Sequence, residues 1–328
     1  MPAMQPPTQI PAHRFCVAPM MDRTDRFFRY LVRLLSRRTF LYTEMVAARA
    51  LLHGDAPRLL RFDPRERPLA LQVGGSVPEE LAACARLAWC AGYDEINLNC
   101  GCPSPRVASG GFGAALMLDP ALVAECVSAM AEASPLPVTV KHRLGVDERD
   151  SYEALCAFVA RVAEAGCRTF LVHARKAWLA GLSPRENREI PPLRPGWVER
   201  LKADFPHLEI VINGGIADLE QAAAHLRLLD GVMVGRAAYE DPWLLAEVDA
   251  RLFAEPSPPP QRHAVLAEYW AFARREVAAG TPLPRLARHL TGLLRGQPGA
   301  RRWRRLCAEA SRVRDCDALF AELLAAAA

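Results

Sequence analysis

Residues 95–104 of the chain read Glu95-Ile96-Asn97-Leu98-Asn99-Cys100-Gly101-Cys102-Pro103-Ser104. Alternating apolar and polar side chains predict a buried strand, and the Gly-Cys-Pro-Ser sequence ends that strand abruptly. The strand end therefore presents a thiol beside the glycine-rich residues 108–114. Such a thiol serves as a nucleophile or as a proton donor, and the residues at the other strand ends decide between the two.

Seven further short apolar runs resemble this one, and they alternate with longer segments of helical periodicity. Eight strand–helix units predict an α/β fold whose parallel sheet closes into a (β/α)8 TIM barrel. A doubly wound open sheet is the alternative, although it usually has fewer strands and one dominant glycine-rich first turn. The predicted strands are residues 15–20, 40–46, 69–74, 95–99, 137–144, 170–175, 209–214 and 231–235, and helices between them include 78–90, 122–133 and 152–164.

The proline cluster at residues 256–260 marks a change in the character of the sequence and predicts a linker. Beyond it, residues 262–279, 284–295, 301–312 and 315–328 predict a small C-terminal all-helical domain. The first 14 residues are rich in proline and glutamine and lack the apolar stretch of a secretory signal, so we expect a short disordered leader. The predicted division is a leader (1–14), a barrel (15–255), a linker (256–260) and a helical domain (261–328).

The composition is that of an ordinary globular protein, with 51% hydrophobic and 24% charged residues among 328. No apolar run approaches the roughly 18 residues needed to cross a bilayer, so no membrane association is expected. The ten cysteines include no C-x-x-C pair, and most are expected to be small buried side chains in a cytoplasmic protein. Alternation along the strand allows Cys100 and Cys102 to share one face without a metal, and no metal site is predicted.

The net charge of +4 is unevenly distributed. After residue 260, twelve arginines and no lysine stand against six acidic residues, whereas 29 basic and 31 acidic residues precede that point. A basic appendage on a nearly neutral body indicates a polyanionic partner, with nucleic acid as the first candidate. A solvated arginine-rich helical surface is the alternative.

Glycine-rich turns follow the last two predicted strands, at Asn213-Gly214-Gly215 and at Gly235-Arg236. In a barrel of this kind the chemistry gathers at the carboxyl ends of the strands, and turns at these two places form the usual phosphate site because their backbone N–H groups point at the anion. Arg236 adds a forked cation. Two plain tight turns are the alternative explanation.

Polar side chains at other strand ends predict a charged heterocycle in the barrel mouth. Lys141 and Arg143 share one face of their strand and require an anion, such as a phosphate or an anionic ring, whereas His142 points the other way. Gln72 can donate to and accept from a heterocycle. His173 lies at a strand end, although a core histidine is the alternative. Together these features suggest flavin mononucleotide (FMN), with the thiol acting as an acid on a substrate stacked against the flavin.

Ten ordered stretches of the chain match a known family. They are residues 17–20 (VAPM), 41–45 (LYTEM), 70–76 (ALQVGGS), 92–99 (GYDEINLN), 101–104 (GCPS), 138–141 (VTVK), 173–178 (HARKAW), 187–193 (NREIPPL), 212–215 (INGG) and 231–236 (GVMVGR). In these stretches the chain resembles the bacterial tRNA-dihydrouridine synthases, specifically the A subfamily that modifies uridines 20 and 20a. The resemblance extends over roughly residues 15–310.

The resemblance implies a flavin-dependent reduction of tRNA. NADPH reduces bound FMN, a hydride passes from flavin N5 to C6 of the uridine, and a cysteine protonates C5 to give 5,6-dihydrouridine. By position the acid is Cys102, while Cys100 occupies a place where relatives commonly carry an apolar residue. The partner is a folded tRNA, whose target base has to be flipped out before it stacks on the flavin. No obligatory protein partner is evident.

The resemblance also assigns binding roles to individual positions. The implied FMN contacts are Ala18, Pro19, Met20, Gln72, Lys141, His173, Asn213, Gly214, Gly215, Gly235 and Arg236. The implied tRNA contacts are Asn99, which faces the uracil, Arg185 and Arg188 after strand 6, and Arg301 and Arg304 in the helical domain. The three-residue spacing of Arg301 and Arg304 places them on one helix face, where both can bind phosphates.

Three other functions compete with this one. A dihydroorotate dehydrogenase would share the flavin-bearing barrel, but the basic helical domain argues against a small-molecule substrate. A Schiff-base aldolase would use Lys141, and its purified protein would be colourless. A non-catalytic RNA-binding protein would bind no flavin, and its tRNA binding would not depend on Cys102.

Overall fold

Nine parallel β-strands form a barrel in the computed structural model, which describes residues 12–256, 258–310 and 316–327. The strands are β1 (Phe15–Val17), β2 (Leu41–Tyr42), β3 (Val46–Ala47), β4 (Leu69–Gly74), β5 (Glu95–Cys100), β6 (Val138–Arg143), β7 (Thr169–His173), β8 (Glu209–Asn213) and β9 (Gly231–Val234). Because β2 and β3 both pair with β4, they fill one position of an eight-position barrel. Their interruption differs from the single predicted strand 40–46. Between them the hydroxyl of Thr43 accepts the backbone N–H of Gln72 at 3.0 Å.

The barrel closes between its first two strands. Along the sheet the order is β1-β9-β8-β7-β6-β5-β4-β2, and a parallel bridge joins Cys16 to Phe40 across the remaining gap. There the N–H of Val17 donates to the carbonyl of Phe40 at 3.0 Å, and the N–H of Phe40 donates to the carbonyl of Phe15 at 2.9 Å. The predicted TIM barrel is thus confirmed, and the open-sheet alternative is wrong.

Helices alternate with these strands and then continue alone to the end of the chain. The α-helices of the described residues are α1 (Arg26–Leu35), α2 (Ala48–His53), α3 (Ala56–Leu59), α4 (Pro78–Ala91), α5 (Pro105–Ala108), α6 (Pro120–Ala133), α7 (Tyr152–Glu164), α8 (Pro195–Asp204), α9 (Leu219–His225), α10 (Arg236–Glu240), α11 (Val248–Leu252), α12 (Arg262–Ala278), α13 (Leu283–Ala287), α14 (Ala300–Glu309) and α15 (Cys316–Ala327). The predicted helix 284–295 is shorter in the structure, because α13 gives way to the 3-10 turn Arg288–Leu290.

The strands bury both of their faces, but with different chemistry. Outward-facing residues such as Ile96 and Leu98 pack in one large core between the sheet and the helices. A smaller apolar cluster lies apart from that core; it comprises Cys16, Ala18, Phe40, Tyr42, Ala70, Leu171, Val211 and Met233. Buried polar side chains share the barrel interior with this cluster, and they reach as far as the strand ends.

The C-terminal helices pack directly against the barrel through α1. The rings of Tyr30 and Phe272 stack with centroids 3.8 Å apart and planes 7° apart. Asp25, the N-cap of α1, also pairs with Arg288 at 2.6 Å and with His289 at 3.0 Å. Apolar side chains of both regions belong to the same buried core. Burial of two aromatic side chains of this size is worth a few kcal/mol, so we expect the helices to stay docked.

Two segments flank the barrel in the sequence, the predicted leader before it and the predicted linker after it. Residues 1–11 of the predicted leader lie outside the described residues, but Ala12–Arg14 form a 3-10 helix in which His13 is buried. The described residues of the predicted linker have no helical or strand structure, and residue 257 lies outside the description. No helix among the described residues is both long and apolar enough to span a membrane.

Candidate active site

A cavity of about 890 Å³ opens at the carboxyl ends of the barrel strands. A volume of this size accommodates a cofactor-sized ligand. Fourteen of the seventeen predicted site residues line it: Ala18, Pro19, Met20, Gln72, Asn99, Cys102, Lys141, His173, Arg188, Asn213, Gly214, Gly215, Gly235 and Arg236. The barrel therefore brings together residues that are up to about 200 positions apart in the sequence.

The other three predicted residues lie outside the cavity lining. The side chain of Arg185 is exposed and pairs with Glu189 at 3.5 Å. Arg301 and Arg304 are exposed on α14, three residues apart and therefore on one face of that helix. All three are free to meet a polyanion, and their role stays a prediction.

Cys102 and Cys100 lie in different surroundings. Cys102 lines the cavity, and its backbone is held by the N–H donated to Oδ1 of Asn99 at 2.9 Å and by the carbonyl that accepts from the N–H of Ala114, also at 2.9 Å. Cys100 is fully buried in the core between the sheet and the helices, where burial raises the pKa of its thiol well above the ordinary value. The expectation that both thiols can share one face is wrong, because β5 ends at Cys100 and Cys102 lies in the loop beyond it.

Two amides converge on the cavity from β4 and β5. The Nδ2 group of Asn99 donates to Oε1 of Gln72 at 2.8 Å, and Oδ1 of Asn99 accepts the backbone N–H groups of Gly101 at 3.1 Å and Cys102 at 2.9 Å. The amide of Asn99 therefore connects the loop that carries Cys102 to the floor of the cavity.

Lys141 is a partly buried cation that lacks a carboxylate partner. Its Nζ donates to Oδ1 of Asn213 at 3.1 Å, and across the described residues no carboxylate lies within ion-pair distance of it. Burial and, next, the charge of Arg143 lower the pKa of Lys141 to about 7. An anion bound in the cavity would restore the charge of this lysine, so the site favours an anionic ligand.

His173 lies among cations. Burial lowers its pKa well below the ordinary value, and the charges of Arg143, Lys141 and Arg175 lower it further. The imidazole is therefore neutral at physiological pH and can donate one hydrogen bond to a ligand. By contrast, His142 packs between Phe158 and Phe170 in the outer core and does not reach the cavity, as predicted.

The turn after β8 can be formed by glycine alone. Gly214 has φ of +114° and Gly215 has φ of +76°. A Cβ atom on Gly214 would lie 2.8 Å from Cδ2 of His173, and one on Gly215 would lie 2.5 Å from Cδ1 of Leu193. The turn is therefore a bare backbone surface beside Lys141 and Arg236, as a phosphate site requires.

Arg143 serves a different purpose from the predicted one. We expected it to face an anion, but its guanidinium donates to three carbonyls: Gly101 at 3.0 Å, Lys176 at 3.0 Å and Asn187 at 2.9 Å. Arg143 thus ties the loop that carries Cys102 to the loop after β7. The alternation along the strand correctly predicted the face of β6 on which Arg143 lies, but its hydrogen-bond partners come from loops that are distant in the sequence.

The loop after β7 is organised around one buried amide. Asn187 accepts the N–H of Trp178 at 2.8 Å and donates to the carbonyls of Trp178 at 3.0 Å and Leu182 at 3.3 Å. The neighbouring Arg188 is thereby held at the cavity wall.

Two further cations of the cavity wall escaped prediction. Arg23, in the loop between β1 and α1, lies 4.9 Å from the centroid of the Tyr239 ring. Arg295 lies after α13 and pairs with Glu240 at 3.6 Å. Neither residue lies directly at a strand end, so strand-end reasoning does not detect them; the arginine excess after residue 260 is the only signal that included Arg295.

Comparison with known proteins identifies the family. The family model described as Dihydrouridine synthase matches residues 16–327. The chain is 58% identical over 303 residues to the tRNA-dihydrouridine(20/20a) synthase of Pseudomonas aeruginosa, covering 92% of this chain and 91% of that protein. It is 56% identical to the Synechocystis protein of the same name, covering 90% and 88%, and 52% identical to the Salmonella typhi one, covering 97% of each. The chain therefore belongs to the dihydrouridine synthase family.

Proposed function

We propose that this protein reduces the C5=C6 bond of uridine 20 or 20a in tRNA to give 5,6-dihydrouridine, with FMN as bound cofactor and NADPH as reductant. The similar proteins are named for that position. The observation that carries the proposal is that Cys102, Lys141 with its amide rather than carboxylate partner, and the Gly214-Gly215 turn line one and the same cavity. An acid, a cation and an anion cradle in one water-accessible site are the parts that this reaction needs.

The residues present fit FMN. The bare turn at Gly214-Gly215 and the guanidinium of Arg236 would hold its phosphate, and the partly buried ammonium of Lys141 would face the anionic part of its ring. Gln72 and His173 would offer hydrogen bonds to the ring edge. Ala18, Pro19, Met20, Asn213 and Gly235 complete the wall around the same space. Bound FMN, once reduced by NADPH, supplies the hydride that C6 of the uridine receives.

Cys102 would supply the proton. Its Sγ donates to C5 of the uridine as C6 is reduced, so that the ring gains two hydrogens. The two hydrogen bonds of its backbone, to Asn99 and from Ala114, fix the thiol at the cavity wall. Proton transfer by a positioned side chain accelerates a reaction by about 10²- to 10⁴-fold, so loss of the thiol should reduce turnover by at least that lower factor.

Asn99 and the arginines would recognise the RNA. Asn99 lies at the cavity floor beside Cys102 and would contact the uracil, while Arg188 borders the opening. Arg185, Arg301 and Arg304 are exposed and would bind phosphates of the surrounding tRNA. The target base has to leave its stack to enter the cavity, and phosphate contacts outside the cavity hold the tRNA while it does so.

The test is mass spectrometry of unmodified tRNA incubated with the purified protein, FMN and NADPH. We expect a gain of two hydrogens at position 20 or 20a for wild type and a loss of that gain in Cys102→Ala. Cys90→Ala is the matched control, because Cys90 is exposed on α4 and is not in the cavity. Equal activity of Cys102→Ala and Cys90→Ala would contradict the assignment of the acid.

A second activity has one observation in its favour. A lysine with a pKa of about 7 is suited to forming a Schiff base, and Lys141 has that pKa. An aldolase would be colourless and would be trapped at Lys141 by borohydride in the presence of its carbonyl substrate. A yellow protein that resists trapping supports the flavin proposal, whereas a colourless protein that is trapped refutes it. A yellow protein inactive on tRNA would instead indicate a small-molecule substrate, as in the dihydroorotate dehydrogenases.

A further inference from the structure

A chain of buried polar side chains runs through the barrel interior from its floor to the cavity. Strand β5 contributes Glu95, Asn97 and Asn99, which alternate with apolar residues and therefore point to the same side, into the barrel. The neighbouring strands present Gln72 and Thr139 to them, because Gln72 and Asn97 are register partners, as are Asn97 and Thr139. All five side chains are at most 8% exposed.

Each member of this chain is hydrogen-bonded to the next. The hydroxyl of Thr139 donates to Oε1 of Glu95 at 2.6 Å and accepts from Nδ2 of Asn97 at 2.8 Å. Oδ1 of Asn97 accepts from Nε2 of Gln72 at 2.7 Å. Oε1 of Gln72 accepts from Nδ2 of Asn99 at 2.8 Å. We refer to Glu95, Thr139, Asn97, Gln72 and Asn99 as the polar relay.

The floor of the barrel keeps Glu95 an acceptor. Oε2 of Glu95 lies 2.6 Å from Nε2 of His13, and Oε2 of Glu209 lies 3.0 Å from Nδ1 of the same ring. With a carboxylate at each ring nitrogen, His13 donates from both. Oε1 of Glu95 is then left to accept the proton of Thr139, so the Thr139 oxygen has to accept from Asn97.

The two ends of the polar relay impose the same direction on it. A carboxylate only accepts hydrogen bonds, and the backbone N–H groups of Gly101 and Cys102 only donate them. From the floor, Glu95 forces Asn97 to direct its NH₂ group downward and its oxygen toward Gln72. From the mouth, the two N–H groups force Asn99 to direct its oxygen toward the loop and its NH₂ group toward Gln72. Each amide therefore has one orientation.

We propose that Glu95 and Thr139 are positioning residues, which act through Asn97 to make Gln72 and Asn99 hydrogen-bond donors toward the cavity. The inference rests on the proposed function. Gln72 and Asn99 each use one N–H of the amide within the polar relay, and the second N–H remains for the ligand. Their amide oxygens are already occupied, that of Gln72 by Asn99 and that of Asn99 by the loop. A donor at Asn99 complements O4 of uracil and opposes the amino group that cytosine carries at the same ring position, so the orientation selects uracil when the base presents that edge to Asn99.

Thr139 is the residue at which the proposal can be tested. It is 1% exposed, it is absent from the cavity lining, and valine has the same shape without the hydroxyl. Thr139→Val leaves the amide of Asn97 without its acceptor and Glu95 without a donor, so the orientation of Gln72 and Asn99 is then held from the mouth alone. Thr139→Ser restores the hydroxyl. Thr169→Val is the matched control, because the Thr169 hydroxyl also donates to a floor carboxylate, Glu209 at 2.8 Å, but makes no hydrogen bond to a member of the polar relay.

The experiment measures kcat and KM for unmodified tRNA and the Kd of the apoprotein for FMN. We expect Thr139→Val to reduce kcat/KM and to weaken FMN binding, each on the order of tenfold. Thr139→Ser and Thr169→Val should stay within about twofold of wild type. Because Thr139 acts through the amides, its effect on kcat/KM should disappear in an Asn99→Ala background, and its effect on the FMN Kd should disappear in a Gln72→Ala background.

Two results would overturn the inference. One is a Thr139→Val variant that matches Thr169→Val; the other is a Thr139→Val effect that persists undiminished in the Asn99→Ala and Gln72→Ala backgrounds. If Thr139→Val does not fold, Asn97→Leu interrupts the polar relay one residue nearer the cavity and is measured in the same two backgrounds. Wild-type protein that binds no FMN would refute the proposed function itself, which the variants are not needed to show.

Discussion

Replacement of Gly214 by alanine should separate backbone strain from crowding in the turn after β8. With φ of +114°, Gly214 adopts a conformation that costs an L-residue roughly 1–2 kcal/mol. Its new Cβ would also lie 2.8 Å from Cδ2 and 3.1 Å from Nε2 of His173, a partly buried ring. Crowding of this kind costs about 1–3 kcal/mol. Alanine also restricts the unfolded chain more than glycine does, which offsets about 0.4–1 kcal/mol of the cost. Together these contributions should lower the free energy of unfolding by roughly 1–5 kcal/mol.

Gly181→Ala is the control for strain alone. Gly181 has φ of +80°, and a Cβ placed on it would meet nothing within 4 Å. Its cost should be roughly 1 kcal/mol. Urea unfolding of both variants gives the difference, and titration with FMN should show weaker binding for Gly214→Ala only. A Gly214→Ala protein as stable as Gly181→Ala would refute the claim that the turn is closed to a side chain.

Three other perturbations have expected outcomes. Burial alone would lower the pKa of His13, but Glu95 and Glu209 raise it from 6.5 to about 10. The stability that protonated His13 contributes is therefore complete below pH 6.5 and is lost as the pH rises to 10. The free energy of unfolding, measured with urea, should fall by several kcal/mol over that pH range in wild type but not in His13→Gln. Arg143→Lys keeps the charge but loses the planar guanidinium that donates to three carbonyls at once. It should reduce the free energy of unfolding by about 2–4 kcal/mol and should also reduce kcat. Arg301→Ala combined with Arg304→Ala should weaken tRNA binding and reduce the slope of log Kd against log salt by about 2, whereas an unchanged slope would exclude phosphate contacts there.

The strand 95–100 shows what period-2 alternation can and cannot reveal. The alternation of Glu95, Asn97 and Asn99 with apolar residues predicted a strand, and the strand is present. Such a pattern ordinarily describes a sheet with one face in water, yet both faces of β5 are buried. The polar face points into the barrel because strands β4 and β6 supply Gln72 and Thr139 as hydrogen-bond partners. Partners from other strands are invisible to a local pattern.

Arg143 illustrates the same limit at the cavity. Its spacing from Lys141 placed both cations on one face of β6, and both line the cavity. Lys141 lacks a carboxylate partner among the described residues, as an anion site requires, whereas the guanidinium of Arg143 is already hydrogen-bonded to the carbonyls of Gly101, Lys176 and Asn187. Which of two equivalent cations binds a ligand depends on where the loops fold, and loop paths leave no periodic signal.

The sequence alone determined the eight barrel positions and their order, the barrel that they form and the residues at their carboxyl ends. These features follow from local hydrophobic periodicity and from glycine, whose backbone freedom is a property of single residues. Only the tertiary structure decided the separation of Cys100 from Cys102, the loop-tying role of Arg143 and the direction of the polar relay. Each of these depends on hydrogen-bond partners and burial supplied by residues distant in the chain, and such long-range pairing arises only once the barrel has closed.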